Sequence, residues 1–426
     1  MSLPVLDSLV LWWGQHPVGV LSIDKGGAMH FTYGADWLAD ASALPVSQAL
    51  PKRTEPYDDA LCKAVFGGLL PEEAQGVAVA RALGISPDNP FRLLAALGGD
   101  VAGALSFLKE GEKPLLLDNE VSPSDPLDDA ALLALFERLP RAPMLAGEEG
   151  VRLSLAGAQS KLPVILSGDG IRIPRAGEIS THLIKPEPLH FAGLAANEAY
   201  CLALARAVGL DVAFAEWRNA DGRPYLLVTR YDRKQSDEGS TERLHQEDFA
   251  QALGVPPQRK YAGDGGPVFA DCFALLRRAA TRPATEVLKL ADAAMFNLII
   301  GNADAHAKNF SLLCSDGGHV QLAPLYDLVA THAWPELAPK LAMRIGKAAT
   351  LEEVDKATFA LFAAEAKLGA PYVRIRAAEL ADKISFVIAG GLEVPGLEDM
   401  RKVEDLAASI GNRAERLRIK AGGLIR

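Results

Sequence analysis

The passage around residue 300 restricts this chain's fold more than any other. Leu288–Ile300 carries an apolar stripe at helical spacing (Leu288, Ala291, Met295, Leu298, Ile299), and Gly301 follows it. That pattern predicts a buried helix stopped by a glycine. Next come Asn302-Ala303-Asp304-Ala305-His306-Ala307-Lys308-Asn309. Two apolar runs, Phe310–Leu313 and His319–Leu322, then flank Ser315-Asp316-Gly317-Gly318, which predicts a hairpin leading to Pro324-Leu325-Tyr326-Asp327. Kinase-like phosphotransfer needs these parts in this order. One Asp, here Asp304, orients the attacking hydroxyl and accepts its proton. An Asn five residues on, Asn309, holds a divalent metal. A second Asp after the hairpin, Asp327, holds the metal that bridges the nucleotide phosphates. A hard cation such as Mg²⁺ takes oxygen donors, so both side chains must converge on it. The D-x-x-x-x-N spacing alone carries little information. Its place between helix and hairpin carries the specificity. The plainer alternative has Asp304 capping a turn and Asn309 opening a strand.

Two further parts are weaker in isolation. Lys185 ends a predicted strand, Thr181–Lys185, where an ammonium can meet nucleotide phosphates. Glu198 lies near the start of the following helix, Leu194–Val208, as a partner for it. A solvated strand end and an ordinary first-turn acid explain the same two residues. Ser154-Leu155-Ala156-Gly157-Ala158-Gln159-Ser160-Lys161 is rich in small residues, which let backbone N–H groups approach phosphate. It has one glycine and is neither a Walker loop nor G-x-G-x-x-G, so a tight strand-to-strand turn fits it equally.

The chain has 426 residues, enough for two or three domains. The expected division is 1–125, a small β-sheet with helices; 126–245, a β-rich nucleotide lobe; and 246–426, a helical lobe with the catalytic loop. Ser8–Trp13, Val18–Ile23 and Met29–Tyr33 read as a small antiparallel sheet, and Tyr57–Lys109 reads as helical. Asp118–Asp129 reads as a linker, followed by a helix over Asp128–Arg138. Val151–Leu155 reads as a strand, Lys161–Leu166 with Ile171–Ile173 as a hairpin, and Val212–Trp217 with Tyr225–Tyr231 as another. From Gln246 onward the pattern is mostly helical. The fold class is therefore α+β.

With 54 acidic and 44 basic side chains the net charge is −10, which disfavours a protein that coats nucleic acid by bulk charge. Cys62, Cys201, Cys272 and Cys314 stand singly and read as buried thiols of a reducing compartment. No apolar run approaches the roughly 18 residues of a membrane span. The expected location is cytoplasmic, with no membrane contact.

Several ordered runs together resemble the HipA family, the kinase toxins of bacterial HipBA toxin–antitoxin modules. They are SLAGAQSKLP (154–163), THLIKP (181–186), the stretch Asn197–Leu204, RYDR (230–233), Gln246-Glu247-Asp248, DAHAKNF (304–310) and APLYD (323–327). Leu69-Leu70-Pro71-Glu72 is similar to the family's N-terminal subdomain. The resemblance implies a two-lobed, protein-kinase-like fold and an ATP- and Mg²⁺-dependent serine/threonine kinase. It places the ATP loop on Ala156, Gly157, Ala158, Gln159, Ser160 and Lys161, and the phosphate-binding lysine at Lys185. It places the adenine hinge near Thr229, Arg230 and Tyr231, the base at Asp304, and the metal ligands at Asn309 and Asp327. His306 and Tyr326 fall beside the nucleotide, and His306 serves equally to fix the loop's geometry. Autophosphorylation would fall on Ser154, with Ser160 a second hydroxyl in the same loop, and would inactivate the enzyme. Thr229 stands where the best-known member has an acid.

The resemblance further implies an aminoacyl-tRNA synthetase as substrate, glutamyl-tRNA synthetase foremost, so that phosphorylation blocks translation. The implied partner is a small HipB-like helix-turn-helix antitoxin, with DNA met only through it. The basic stretch Arg413, Arg416, Arg418, Lys420 and Arg426 reads as a solvated helix face or as a contact for phosphate or antitoxin. Two rival readings stand beside this one: a small-molecule or lipid kinase on the same scaffold, and a catalytically silent, antitoxin-bound corepressor.

Overall fold

The computed structural model describes residues 4–114, 124–235 and 240–422. Strands β1 (Val5–Trp13), β2 (His16–Asp24) and β3 (Met29–Tyr33) form an antiparallel meander, followed by α1 (Ala35–Ala39), α2 (Asp59–Gly67), α3 (Glu73–Leu83) and α4 (Pro90–Leu97). Strand β4 (Leu105–Lys109) then returns to pair with β1, giving the sheet order β3-β2-β1-β4. The helical expectation for this last segment is corrected. Helix α4 ends at Leu97 with Gly98 as its C-cap, Gly103 turns the chain at φ +81°, and Leu105 and Phe107 then point into the core with period two. The expected linker over 118–129 lies partly outside the described residues.

Helix α5 (Asp129–Arg138) is capped by Asp128, whose side chain accepts the Ala131 N–H. A five-stranded antiparallel sheet follows, with β5 (Leu162–Ser167), β6 (Gly170–Arg172), β7 (His182–Pro186), β8 (Ala215–Ala220) and β9 (Arg223–Thr229) in the order β6-β5-β7-β9-β8. Helix α6 (Leu194–Ala207) crosses between β7 and β8. Val151–Leu155 is not a strand: Leu153 makes a single parallel bridge to Asp100 and no ladder. Two polar pairings went unread. Strands β10 (Arg233–Gln235) and β11 (Thr241–Arg243) pair, and β12 (His245–Asp248) joins β13 (Ser311–Ser315) and β14 (His319–Leu322) in a three-stranded sheet. The HQED sequence of β12 has no strand propensity; its ladder to β13 decides the matter.

Helices α7 (Phe249–Ala252), α8 (Phe269–Ala279), α9 (Pro283–Ile300), α10 (Lys356–Glu365), α11 (Ala370–Gly390) and α12 (Glu404–Lys420) complete the chain. Three apolar clusters hold it. One lies under the first sheet, one between α5 and the five-stranded sheet, and the largest unites α6 with the C-terminal helices. The result is mixed helix and sheet in two lobes, with a cleft between the five-stranded sheet and the helical lobe. Among the described residues no helix is long and apolar enough to cross a membrane.

Candidate active site

The site begins with how α9 ends. Gly301 takes φ +69°, and a side chain there would strike His332 and the Arg413 guanidinium. Arg413, from α12, donates to the terminal carbonyls of Ile299 (2.7 Å) and Leu298 (2.9 Å). Beyond it the loop is held by its own polar groups. Asn302 Nδ2 donates to Asn297 Oδ1 (2.8 Å) and to the Asp327 carbonyl (3.2 Å). The Ala303 N–H donates to Thr331 Oγ1 (2.8 Å). The Asp304 carbonyl receives the His306 N–H (2.7 Å) and Asn309 Nδ2 (2.9 Å), curling Asn309 back beside Asp304.

The β13–β14 hairpin returns the chain to Asp327, which sits at φ +51°. That strained backbone aims its carboxylate at Lys185, from β7, with which it is in hydrogen-bond contact. Lys185 Nζ also donates to Glu198 Oε1 (2.7 Å), and both of these residues are buried. Burial would strip the Lys185 proton, but Asp327 and Glu198 hold it on, above its ordinary range. Burial likewise pushes Asp327 up, and the Lys185 and Lys161 ammoniums outweigh it, keeping the carboxyl ionised.

The cleft has a volume of about 850 Å³. Every residue expected at the nucleotide lines it: Ala156 to Lys161, Lys185, Glu198, Thr229 to Tyr231, Asp304, His306, Asn309, Tyr326 and Asp327. Gly157, at φ +114°, lies against the Lys161 ammonium, and a Cβ there would come within 2.6 Å of Nζ. Among the described residues Lys161 has no carboxylate within ion-pair distance; burial lowers its proton affinity below the ordinary range.

Asp304 opens to solvent on one side yet is crowded on the other. That desolvation raises its carboxyl to about 6, against the Tyr261 hydroxyl, which donates to Oδ1 (3.0 Å) and lowers it. Burial, then the Lys260 charge, lowers His306 to about 4, so the ring is neutral at neutral pH. Its Nδ1 is buried without a hydrogen-bond partner among the described residues.

Three expected residues sit otherwise than a simple reading suggests. Ser154 is fully buried outside the cleft, its hydroxyl donating to the Leu69 carbonyl (2.9 Å). The Arg230 guanidinium turns away to Asp232 (2.7 Å), Ser180 (2.8 Å) and the Val101 carbonyl (2.9 Å). The backbone N–H groups of Thr229 and Arg230 are already spent on Phe214 and Thr181 carbonyls. Only the Tyr231 N–H, among these three, has no acceptor among the described residues. The Tyr231 ring stacks on Tyr326 with centroids 5.8 Å apart.

The C-terminal arginines and lysine are engaged internally. Arg413 caps α9, Arg416 and Arg418 pair with Glu352 and Glu415, and Lys420 donates to the Glu352 and Val354 carbonyls. Arg426 lies outside the described residues.

Glu72 and Asp248 stand in runs that carry the family resemblance but had no role assigned, and Lys260 and Tyr261 were missed; all four surround the 302–309 loop from distant positions. Lys308 is buried against Asp248 and 3.4 Å from Glu72, and Lys260 Nζ donates to Glu72 (3.0 Å) and Glu73 (2.9 Å).

The likeness to known proteins spans the whole of this architecture. Residues 9–108 match the family model described as the HipA N-terminal domain, and residues 153–387 match the HipA-like C-terminal domain. The protein Y4mE of Sinorhizobium fredii is 50% identical over 425 residues, covering 98% of this chain and 100% of that protein. The serine/threonine-protein kinase toxin HipA of Shewanella oneidensis is 30% identical over 360 residues, covering 81% of this chain and 80% of that one. The solved complex of Shewanella oneidensis HipA with HipB and operator DNA contains a chain that superposes with a TM-score of 0.80 at 27% identity. The match covers 97% of this chain and 96% of that one. With both family models matched in order and relatives aligned over most of its length, this chain belongs to the HipA family.

Proposed function

We propose that this protein is an ATP- and Mg²⁺-dependent serine/threonine kinase, the toxin of a type II toxin–antitoxin pair. The observation that carries this reading is the convergence in one cleft of Lys185, Glu198, Asp304, Asn309 and Asp327, with the Lys185–Asp327 contact spanning 142 residues. Asp304 would orient the substrate hydroxyl and take its proton as the oxygen attacks the γ-phosphorus. Lys185 and Lys161 would neutralise the phosphate oxygens, and Glu198 fixes the Lys185 ammonium. Tyr231 offers the free N–H of the hinge to the purine edge.

The donor set suits Mg²⁺. Asn309 Nδ2 is spent on the Asp304 carbonyl, leaving its Oδ1 as the ligand oxygen, and Asp327 offers a carboxylate held ionised. A cation bound there would supply charge neutralisation for the transferring phosphoryl group.

Ser154 is the autophosphorylation site in this reading. Its burial leaves no room for a phosphate, so modification requires the nucleotide loop to leave its seat, and the added charge would keep it out. The substrate is an aminoacyl-tRNA synthetase, glutamyl-tRNA synthetase first, and the partner is a HipB-like antitoxin that brings DNA. The Shewanella oneidensis HipA, HipB and operator DNA complex supports that partner. Radiolabelled ATP offered with glutamyl-tRNA synthetase, lipids and sugars tests the reading. Label on the synthetase that vanishes in Asp304→Ala supports it. Label confined to lipid or sugar overturns it.

A further inference from the structure

We propose that Glu72 is a positioning residue that pins the nucleotide loop to the catalytic loop from outside the two lobes. The inference rests on the reading of the cleft as a nucleotide site, and deepens it. Glu72 belongs to the short strap that joins α2 to α3. Its backbone N–H donates to the Gly157 carbonyl (3.2 Å), and Pro71 pairs with Gly157 in a parallel bridge. Two further contacts extend the grip: the Leu69 carbonyl takes the Ser154 hydroxyl, and Gln75 Nε2 donates to Ser160 Oγ (3.1 Å). The strap and the first turn of α3 thus meet residues 154–160 at three points.

The Glu72 carboxylate reaches the other way. It is buried, with Oε2 on Lys260 and Oε1 facing Lys308, the residue directly before Asn309. Lys308 Nζ also donates to the Gly68 carbonyl (3.2 Å), another group of the same strap. Burial would push Glu72 up, but the Lys308 and Lys260 charges outweigh it and keep the carboxyl ionised. The next residue, Glu73, sits at φ +50° and pairs with Lys260 as well, so the strap holds a strained backbone to make both contacts. One residue therefore grips one loop with its backbone and the other with its side chain. Neutralising it would leave Lys260 and Lys308 short of a buried counter-charge and loosen both grips at once.

Hydrogen exchange on the full chain without nucleotide tests this directly. In Glu72→Gln the amides of residues 154–161 should exchange about tenfold or more faster, the size expected for losing charge-assisted hydrogen bonds. The amides of β1 and α9 should be unchanged. The KM for MgATP should rise about tenfold, more than kcat falls, because the lost function is placement of the phosphate cradle. Gln75→Ala, which leaves the buried charges intact, should accelerate the same peptide by less. Unchanged exchange at 154–161 in both variants, or acceleration spread evenly over the chain, overturns the proposal. If Glu72→Gln does not fold, Lys260→Gln, which removes a cation from the same carboxylate, should accelerate the same peptide, and no change there overturns the proposal. If the wild type binds no nucleotide, the functional reading falls with the KM measurement, while the exchange data still decide whether Glu72 is a pin.

Discussion

Two buried clusters of charge adjoin the cleft, and they do different work. In the first, Lys185 meets Glu198 and Asp327, with Lys161 nearby and no carboxylate within ion-pair distance of it among the described residues. In the second, beyond the end of β9, Arg230, Arg233 and Arg243 meet Asp100 and Asp232, joining the N-terminal segment to the nucleotide lobe. Burial alone does not separate the two. What separates them is how many charged groups find a partner: in the second cluster Arg243 Nε is the one buried atom without one among the described residues. In the second cluster Asp232 accepts from Arg230 (3.0 and 2.7 Å) and from the Gly103 N–H (2.7 Å), and Ser180 caps Asp100 (2.6 Å). The cleft cluster leaves an ammonium at Lys161 and oxygen at Asn309 and Asp327 for something else. Incomplete satisfaction of charge, more than perturbed titration, marks the chemistry.

The sharpest break in the comparison should come from Asp304→Ala. Phosphoryl transfer should fall by roughly 10²–10⁴, the usual range for a lost general base, with the urea midpoint unchanged. Arg230→Met should do the reverse. It takes one of two arginine partners from buried Asp232 and a donor from Ser180, and should cost about 3–5 kcal/mol of stability, read in a denaturant titration. Intact stability in that variant would merge the two clusters into one kind. Asp327→Ala should raise the Mg²⁺ concentration for half-maximal turnover by about tenfold or more, measured by titrating metal at fixed ATP.

The smallest effect is on pH. Asp304 must be ionised to accept a proton and its carboxyl is raised to about 6, so turnover should fall as pH drops through about 6. Asp232 is depressed in the folded chain, burial being outweighed by Arg230 and Arg233. Its stabilisation is present above the ordinary Asp range near 3.9 and is lost only as pH falls below it. Activity should therefore fail on acidification while circular dichroism shows the fold intact.

The cleft was legible because its parts come in a fixed order along local elements. A glycine-stopped helix, a curled loop and a hairpin place Asp304, Asn309 and Asp327 with few long-range contacts. The arginine cluster was visible as RYDR, but nothing local says that Arg230 packs against Asp100, 130 residues earlier. The same holds for β12, whose HQED is a strand only because β13 lies beside it, and for Glu72, which matters only through lysines 188 and 236 positions away. Ser154 was named from the resemblance alone, and its burial, with its hydroxyl on the Leu69 carbonyl, could not be read from the sequence. Order along the chain reveals what local geometry builds, and long-range ion pairs stay hidden until the chain is folded.

The central claim is that one magnesium nucleotide is held between the lobes. A crystal structure of Asp304→Asn soaked with Mn²⁺ and a non-hydrolysable ATP analogue tests it, with anomalous scattering locating the metal. The account predicts manganese bound by Asn309 and Asp327, with phosphate oxygens on Lys185 and Lys161. Nucleotide or metal bound away from these four side chains would contradict it.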